Sequence, residues 1–241
     1  MRSIETIRER MGERLRESVP LSGYTTYRVG GDAEFFAEPS GAAEAEFVYR
    51  EAIRRGIPLT VIGWGSNVIA PDEGIGGMVI CMRRDGAAVS FPSRGTVHAD
   101  AGAGLMEVAR AAAEHGLGGM EAIAGIPGTL GGAVVMNAGT KEGDLSSILV
   151  SVTAITPAGR RRSISGDEAG FGYRRSIFQD SGWLLLGARL RLTPSEPRRV
   201  LERLDAIGEE RARKFPLDIP NAGSVFKRPP GDYAGRLIEA A

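Results

Sequence analysis

One stretch of the chain, residues 116–139, is unusually rich in glycine. Eight of its 24 residues are glycine, mixed with Ala, Ile and Val and not with Ser. This density disfavours a helix or strand interior, and the composition is not that of a flexible linker. Such glycines commonly bring unpaired backbone N–H groups close to a ligand, and anions are bound in this way. A phosphate-bearing cofactor is therefore the first hypothesis, with tight buried turns as the alternative.

A second glycine segment, residues 63–67 with the sequence GWGSN, favours the cofactor hypothesis. It directly follows a β-branched run at 59–62 that is predicted to be a buried strand. Loops at the carboxyl ends of buried strands commonly present backbone amides to a ligand. The chain contains neither the G-x-G-x-x-G dinucleotide fingerprint nor the G-x-x-x-x-G-K-[ST] phosphate loop.

Two further segments carry side chains that suit substrate chemistry. Adjacent arginines in the run YRRS at 173–176 offer bidentate binding of an anion, although a solvated arginine pair is the alternative. Ser224 follows a glycine in the run NAGS at 221–224, and Lys227 lies three residues later. This spacing places a hydroxyl beside a positive charge, although a helix cap or a turn would have the same sequence.

The chain has few acid–base or metal-binding side chains. Its two histidines, His98 and His115, and its lone Cys81 show none of the usual metal-ligand spacings, so no metal site is predicted. His115 ends a predicted helix, where a cation suits the negative pole, and Cys81 is expected to be a small core residue. No Ser-His-Asp arrangement is visible, so a cofactor is expected to carry out the bond-changing chemistry that these side chains cannot.

The overall composition excludes several classes of function. Thirty basic and thirty acidic residues cancel, so no global field favours nucleic acid or an anionic membrane. The arginine run at 160–162 follows a Pro-Ala-Gly turn and is predicted to be a solvated hairpin tip. The chain has no apolar run of membrane-spanning length and no signal-like N-terminus, and its single cysteine fits a reducing compartment. A cytoplasmic protein is therefore expected, without nucleic-acid or membrane partners.

Periodicity and chain breakers predict the elements that must position these residues. The first group is an amphipathic helix at 3–17, an extended piece at 25–31, a strand at 33–37, a helix at 41–55, and strands at 59–62 and 77–82. The second group is two strands within 89–101, a helix at 105–115, strands at 148–156 and 183–192, and a polar helix at 198–214. The first group is expected to form a small mixed unit that ends near residue 84.

Five motifs, taken in order, resemble those of the UDP-N-acetylenolpyruvylglucosamine reductase family. They are YRVGG at 27–31, GWGSN at 63–67, GIPGTLGG at 125–132, GYR at 172–174 with Ser176, and NAGS at 221–224. The resemblance implies an α+β protein with the two-subdomain FAD-binding fold of the vanillyl-alcohol-oxidase type. The implied subdomains are 1–84, with the N-terminal helix, and 85–197. Residues 198–241 are then a connector helix and the start of a C-terminal α+β substrate-binding domain.

The resemblance also implies an activity. The implied enzyme uses non-covalent FAD and the co-substrate NADPH to reduce the enolpyruvyl ether of UDP-N-acetylglucosamine enolpyruvate, giving UDP-N-acetylmuramate for peptidoglycan synthesis. After hydride delivery, Arg174 would stabilise the enolate and Ser224 would donate the quenching proton, helped by Lys227. Tyr173, Asn221 and Lys227 are the implied substrate contacts. The implied cofactor-binding residues are Arg28, Gly30, Gly63, Gly65, Ser66, Asn67, Gly125, Ile126, Gly128, Thr129, Gly131, Gly132 and Asn137.

The chain departs from the family at its C-terminal end. The family continues beyond the position of residue 241 and carries a catalytic glutamate there, which Glu239 does not replace because it lies in a different motif. A fragment, a truncated reading frame and an FAD-binding relative without turnover are the open interpretations. Another flavin oxidase on the same fold is a further alternative, against which Ser224 argues. The loop at 179–182 is short, as in the family variant that lacks an inserted tyrosine-bearing loop.

Overall fold

The first part of the chain forms a mixed four-stranded sheet with two helices in the computed structural model, which describes residues 4–215, 219–221 and 223–241. In chain order the elements are α1 (Glu5–Met11), β1 (Leu15–Pro20), β2 (Asp32–Ala37), α2 (Ala42–Arg54), β3 (Leu59–Ile62) and β4 (Ile75–Cys81). The strand order is β1-β2-β4-β3; β1 is antiparallel to β2, while β2 and β3 are both parallel to β4. The carboxyl ends of β3 and β4 therefore lie side by side.

The second part forms a five-stranded antiparallel sheet covered by helices. Its elements are β5 (Val89–Ser93), β6 (Thr96–Asp100), α3 (Leu105–Glu114), β7 (Leu117–Gly118), α4 (Glu121–Ala124), α5 (Leu130–Met136), β8 (Gly139–Thr140), β9 (Gly143–Asp144), β10 (Leu149–Ile155), β11 (Arg161–Ser165), β12 (Leu184–Arg191), β13 (Thr193–Pro194), α6 (Pro197–Lys214) and α7 (Ala234–Glu239). The sheet order is β11-β10-β12-β6-β5, and β7 pairs with β13 and β8 with β9 in short ribbons. The arginine run at 160–162 lies at the β10–β11 hairpin, as the sequence predicts.

The two sheets are joined by a shared core and by a polar contact. Val48 and Tyr49 of α2 are buried in one apolar cluster with Leu184 and Leu186 of β12. Arg84, just after β4, forms an ion pair with Asp100 of β6 and also donates to the carbonyl of Ser40. The two sheets are therefore joined both by apolar packing and by an ion pair.

The long polar helix α6 is not isolated from the rest of the chain. Its buried Val200 and Leu204 belong to the core of the second sheet, and it packs against α3. The strands of the first sheet all precede residue 84 and those of the second follow it. The predicted domain boundaries, 1–84, 85–197 and 198–241, stay a prediction.

Two predicted elements are wrong. The helix at 3–17 ends at Met11, because Gly12 adopts φ +56° and the chain from Leu15 pairs with β2 as a strand. Residues 25–31 are not extended: the N–H of Arg28 donates to the carbonyl of Thr25 at 3.1 Å, which closes a turn. Strand pairing overrides the helical periodicity in the first place, and a turn replaces the predicted extended segment in the second.

Candidate functional site

A cleft of about 1000 Å³ lies where the two sheets meet. Thirteen of the predicted site residues line it: Arg28, Gly63, Gly65, Ser66, Asn67, Ile126, Gly128, Thr129, Gly131, Gly132, Arg174, Asn221 and Ser224. The sequence motifs, which are as much as about 200 residues apart in the chain, are therefore brought to one cavity. The remaining predicted residues, Gly30, Gly125, Asn137, Tyr173 and Lys227, do not belong to its wall.

The two glycine loops, residues 63–67 and 125–132, are in direct contact. A Cβ on Gly63 would lie 2.4 Å from Oγ1 of Thr129, so only glycine fits there without a shift. The hydroxyl of Ser66 donates to the carbonyl of Pro127 at 2.7 Å. The loops thus form one continuous backbone surface on the wall of the cleft.

The backbone N–H groups at the start of α5 are not free, which corrects one part of the sequence hypothesis. The N–H groups of Leu130 and Gly131 donate to the carbonyls of Ala103 and Ala101, each at 2.8 Å, and the N–H of Gly132 donates to Oγ1 of Thr129 at 3.2 Å. A Cβ on Gly131 would lie 2.9 Å from the Cβ of Ala101. These glycines allow α5 to pack tightly against the chain that enters α3, and they do not present spare donors.

Other N–H groups on the cleft wall remain available to a ligand. The backbone N–H groups of Trp64, Ser66 and Gly128 donate to no acceptor among the described residues. All three residues line the cleft. The anion-binding role predicted for the glycine segments therefore rests on the first loop and on the turn before α5.

The first glycine loop lies against the turn that contains Arg28. A Cβ on Gly65, whose φ is +63°, would come within 2.0 Å of the carbonyl oxygen of Tyr24, and the N–H of Thr26 donates to the carbonyl of Gly65 at 3.2 Å. Arg28 itself has φ +54°, an uncommon conformation for a side chain of its size. Gly30 packs against Ala70, so its role is close packing behind the loop and not contact with the cleft.

Arg174 is fixed in the cleft by backbone oxygens. One guanidinium nitrogen donates to the carbonyl of Asn137 at 3.3 Å, and the other terminal nitrogen donates to the carbonyl of Gly139. The residue has φ +53° in a tight turn that is closed by two hydrogen bonds between Gly172 and Arg175, each 3.1 Å long. Of the five N–H donors of a guanidinium, these two contacts leave three for a ligand.

The side chain of Asn137 does not line the cleft but makes structural hydrogen bonds, and its predicted role in cofactor binding stays a prediction. Its buried side chain donates to the carbonyl of Gly172 at 3.0 Å and to a carboxylate oxygen of Asp144 at 3.3 Å, and its Oδ1 accepts from the N–H of Ser146 at 3.1 Å. The side chain therefore joins α5 to the turn of Arg174. Gly125 has a similar structural role, because a Cβ there would lie 2.6 Å from Cγ2 of Ile207 in α6.

The predicted proton donor reaches the cleft on the segment that follows α6. Asn221 donates its backbone N–H to the carbonyl of Thr26 at 3.0 Å, which ties this segment to the Arg28 turn, and Ser224 lines the cleft with an exposed side chain. Ala222 of the NAGS motif and residues 216–218 of the run before it lie outside the described residues. Tyr173 and Lys227 are both exposed, and the hydroxyl of Tyr173, the neighbour of Arg174, accepts from the N–H of Arg228 at 3.2 Å.

The charge on the cleft wall is entirely positive among the described residues. Four arginines line it, Arg28, Arg83, Arg174 and Arg211, and no described Asp, Glu or His does. Arg211 stacks on Phe215 at 4.9 Å, and burial lowers the pKa of its guanidinium. Such a wall favours a ligand that carries several negative charges.

The other residues considered for chemistry do not line the cleft. His115 caps α3 and stacks on Phe91 at 3.6 Å, and His98 lies in β6. Cys81 is buried in β4, and desolvation raises its pKa to about 11. The described residues include no cluster of His, Cys, Asp or Glu that could hold a metal ion, and no described helix is long and apolar enough to cross a membrane.

Comparison with known proteins agrees with this geometry. Residues 33–165 match the FAD binding domain family. The UDP-N-acetylenolpyruvoylglucosamine reductase of Lactobacillus helveticus (strain DPC 4571) is 40% identical over 230 residues, which are 95% of this chain and 76% of that protein. The reductase of Streptococcus agalactiae (strain NEM316) is 39% identical over 239 residues, 99% of this chain and 79% of that protein. The chain belongs to the UDP-N-acetylenolpyruvoylglucosamine reductase family.

Solved structures give the same fold. The crystal structure of the UDP-N-acetylenolpyruvylglucosamine reductase of Thermus caldophilus aligns with a TM-score of 0.76 at 35% identity, over 94% of this chain and 80% of that one. Alkyldihydroxyacetonephosphate synthase aligns with a TM-score of 0.63 at 18% identity, over 80% of this chain and 41% of that one, which shows the fold alone. The predicted α+β FAD-binding fold and the cofactor FAD are confirmed. Membership in the reductase family also overturns the alternative of a different flavin oxidase.

Sequence reasoning missed some residues on the cleft wall. The sequence predicts Trp64 only as part of a glycine motif, and it does not predict Arg83 or Arg211 as site residues. Arg83 follows a strand that is adjacent to the first glycine loop only in the folded sheet, and Arg211 is one of several basic residues on a polar helix. The only signal in the sequence was that Arg83 follows a predicted buried strand.

Proposed function

We propose that this chain is an NADPH-dependent flavoenzyme that reduces the enolpyruvyl ether of UDP-N-acetylglucosamine enolpyruvate to UDP-N-acetylmuramate. The observation that carries the proposal is that Arg174 and Ser224 line one cleft that has four arginines and no described carboxylate on its wall. The relatives named above carry the name of this activity. The proposed substrate has a diphosphate and a carboxylate, which suits this charge.

The residues of the cleft fit FAD. The free N–H groups of the first glycine loop and of Gly128 are donors for a diphosphate, and the contact between Gly63 and Thr129 keeps the two loops in register. Arg28 is held close to this surface by its turn. When bound, FAD supplies the hydride chemistry that no side chain of this chain supplies. The chain would contribute the donors for the diphosphate.

Arg174 is the proposed electrostatic catalyst. Hydride addition to the distal carbon of the enol ether leaves negative charge on the neighbouring carbon and on the carboxylate, as an enolate. The guanidinium is already fixed by two carbonyl oxygens, so it needs little reorganisation to stabilise that charge. Asn137 contributes by holding the turn on which Arg174 lies.

Ser224 is the proposed proton donor to the enolate carbon. A serine hydroxyl is a weak acid, but an enolate is basic enough to take its proton, and no described acid or histidine lines the cleft to compete. Lys227 is exposed three residues later and supplies positive charge near this end. Asn221, which anchors the segment to Thr26, and Tyr173 are the proposed contacts to the sugar nucleotide.

An anaerobic absorption experiment tests the proposal. The purified chain reconstituted with FAD is expected to show flavin bands, to lose them on addition of NADPH, and to regain them on addition of UDP-N-acetylglucosamine enolpyruvate. Failure of NADPH to bleach the bands refutes the reductase function. Bleaching without recovery on addition of the sugar nucleotide refutes turnover, and it supports the alternative of an FAD-binding relative that does not complete the reaction.

A further inference from the structure

Two arginines of the cleft, Arg83 and Arg211, have no part in the chemistry above. Arg83 lies two residues after β4, and its exposed side chain lines the cleft. It is the one cleft arginine within residues 33–165, the segment that matches the FAD binding domain. The other three lie before or after that segment. Its place in the chain is consistent with contact to the cofactor.

Arg83 is held in place by an aromatic platform. Its guanidinium carbon lies 5.2 Å from the centroid of the Trp64 ring. A cation at this distance is attracted to the face of the ring, and the guanidinium keeps N–H donors that make no hydrogen bond to a described residue. Arg83 forms no ion pair with a described residue, whereas its neighbour Arg84 is paired with Asp100. The wall thus carries an oriented cation that has no counter-ion.

The indole of Trp64 is not placed by a hydrogen bond of its own. Its Nε1 is buried and has no acceptor in the described part of the chain. Its Cζ2 would lie 3.3 Å from a Cβ built on Gly104, so the ring is packed against the backbone that enters α3. A buried donor without an acceptor lowers stability. The ring is therefore held by packing, with its face toward the guanidinium of Arg83.

Resting on the proposed function, we propose that Arg83, positioned by Trp64, binds the diphosphate of FAD. Trp64 belongs to the first glycine loop, whose free N–H groups at Trp64 and Ser66 supply neutral donors. Arg83 adds a charged, fork-shaped donor beside them, and guanidinium–phosphate hydrogen bonds are among the stronger ones in proteins. Trp64 is the positioning residue in this arrangement, and Arg83 is the binding residue.

The test measures the dissociation constant of FAD by fluorescence titration of the apoprotein. Arg83→Ala is expected to raise it about tenfold or more in about 0.05 M KCl. The difference is expected to shrink in about 0.5 M KCl, because salt screens an exposed charge. Arg160→Ala removes an exposed arginine from the β10–β11 hairpin and serves as the matched control, with an unchanged constant. Riboflavin, which has no phosphate, is expected to bind the wild type and Arg83→Ala equally.

The positioning role of Trp64 predicts non-additivity. Trp64→Ala is expected to weaken FAD binding by a factor similar to that of Arg83→Ala, and the double variant by no more than that factor. Trp64→Phe keeps an aromatic face and is expected to stay within about threefold of the wild type. If Trp64→Ala does not fold, Trp64→Phe and the Arg83 variants still decide the question.

Three outcomes overturn the inference. One is a loss of affinity in Arg83→Ala that is equal for riboflavin and FAD. The second is an unchanged FAD constant with an unchanged KM for NADPH, and the third is an unchanged FAD constant with a raised KM for NADPH, which would assign Arg83 to the co-substrate. Failure of the proposed function is distinguishable from all three. In that case the wild-type chain itself would not bind FAD or would not be bleached by NADPH.

Discussion

The contact between the two glycine loops gives the sharpest prediction. A Cβ on Gly63 would lie 2.4 Å from Oγ1, 3.1 Å from Cγ2 and 3.3 Å from Cβ of Thr129. Gly63→Ala therefore has to push the loops apart, and overpacking of this kind costs about 1–3 kcal/mol in the free energy of unfolding. Thr129→Ala loses the N-cap of α5, which costs about 1 kcal/mol.

The double variant separates packing from other effects. Thr129→Ala removes the two atoms closest to the new methyl group, so Gly63→Ala in that background has only the contact at 3.3 Å to relieve. We expect the double variant to be about as stable as Thr129→Ala alone, which makes the coupling about 1–3 kcal/mol. The free energies are measured by urea unfolding of the apoproteins, monitored by circular dichroism.

Gly208 provides a matched control for Gly63. Gly208 lies in α6 with nothing within 4 Å of a built Cβ, so Gly208→Ala is expected to stabilise the protein by about 0.5–1 kcal/mol. Additivity of Gly63→Ala and Thr129→Ala within about 0.5 kcal/mol would refute the proposed contact. Gly63→Ala is also expected to weaken FAD binding, and Thr129→Ala is expected to restore part of that loss.

Three further predictions concern the chemistry and the core. Ser224→Ala is expected to leave flavin reduction by NADPH intact and to slow reoxidation by the enolpyruvyl sugar nucleotide by about 10²-fold or more in stopped-flow measurements; equal slowing of both half-reactions would contradict the proton-donor role. Arg174→Ala is expected to slow the same reoxidation by about 10²–10³-fold while the FAD dissociation constant changes little, and a large loss of FAD binding would reassign the residue to the cofactor. Burial raises the pKa of Cys81 from 9.0 to about 11, so the unfolded state loses its proton first as pH rises. This thiol is expected to contribute about 3 kcal/mol to the free energy of unfolding, which is present below pH 9 and lost between pH 9 and 11. In urea titrations, the free energy of unfolding of the wild type is therefore expected to fall by about this amount relative to that of Cys81→Ala across that window. Parallel pH dependences of the two free energies would contradict this account.

The elements that the sequence predicts well are those that local physics decides. The strand at 59–62 is observed as β3 (Leu59–Ile62), and the helix at 41–55 is observed as α2 (Ala42–Arg54). The apolar periodicity of α2 agrees with its buried Ala45, Val48 and Ala52, but the predicted burial of 59–62 is wrong: β3 lies at the edge of the sheet, only Ile62 is buried, and Val61 is 39% exposed. The loop that follows β3 is predictable for the same reason, because glycines stop the strand at a fixed point.

The failures occur where distant parts of the chain decide the outcome. Leu15 has helical spacing from Met11, but it is buried in a strand that pairs with β2, and Gly12 ends the helix before it. Glycine-rich residues 130–136 form a helix despite their poor propensity, because carbonyls at Ala101 and Ala103 accept the N–H groups at its start. A single sequence shows neither contact.

The site was predictable in its motifs but not in its electrostatics. Net charge over the chain is zero, yet the described cleft wall carries four arginines and no carboxylate. Adjacent residues show how the charges are sorted. Arg84 forms an ion pair with Asp100 that joins the two sheets, whereas Arg83 lines the cleft and has no described ionic partner. No count of residue types distinguishes the two.

This sorting has a physical consequence for the cleft. Like charges on one wall repel each other, and bound anions relieve that repulsion, so a diphosphate gains affinity from the arginines that lie beside it and have no described carboxylate partner. Because the first glycine loop supplies neutral donors only, it can orient a diphosphate but cannot neutralise its charge. The acid-free wall and the glycine loops are therefore complementary: the loops fix where phosphates lie, and the arginines determine how tightly, and at what ionic strength, they are held.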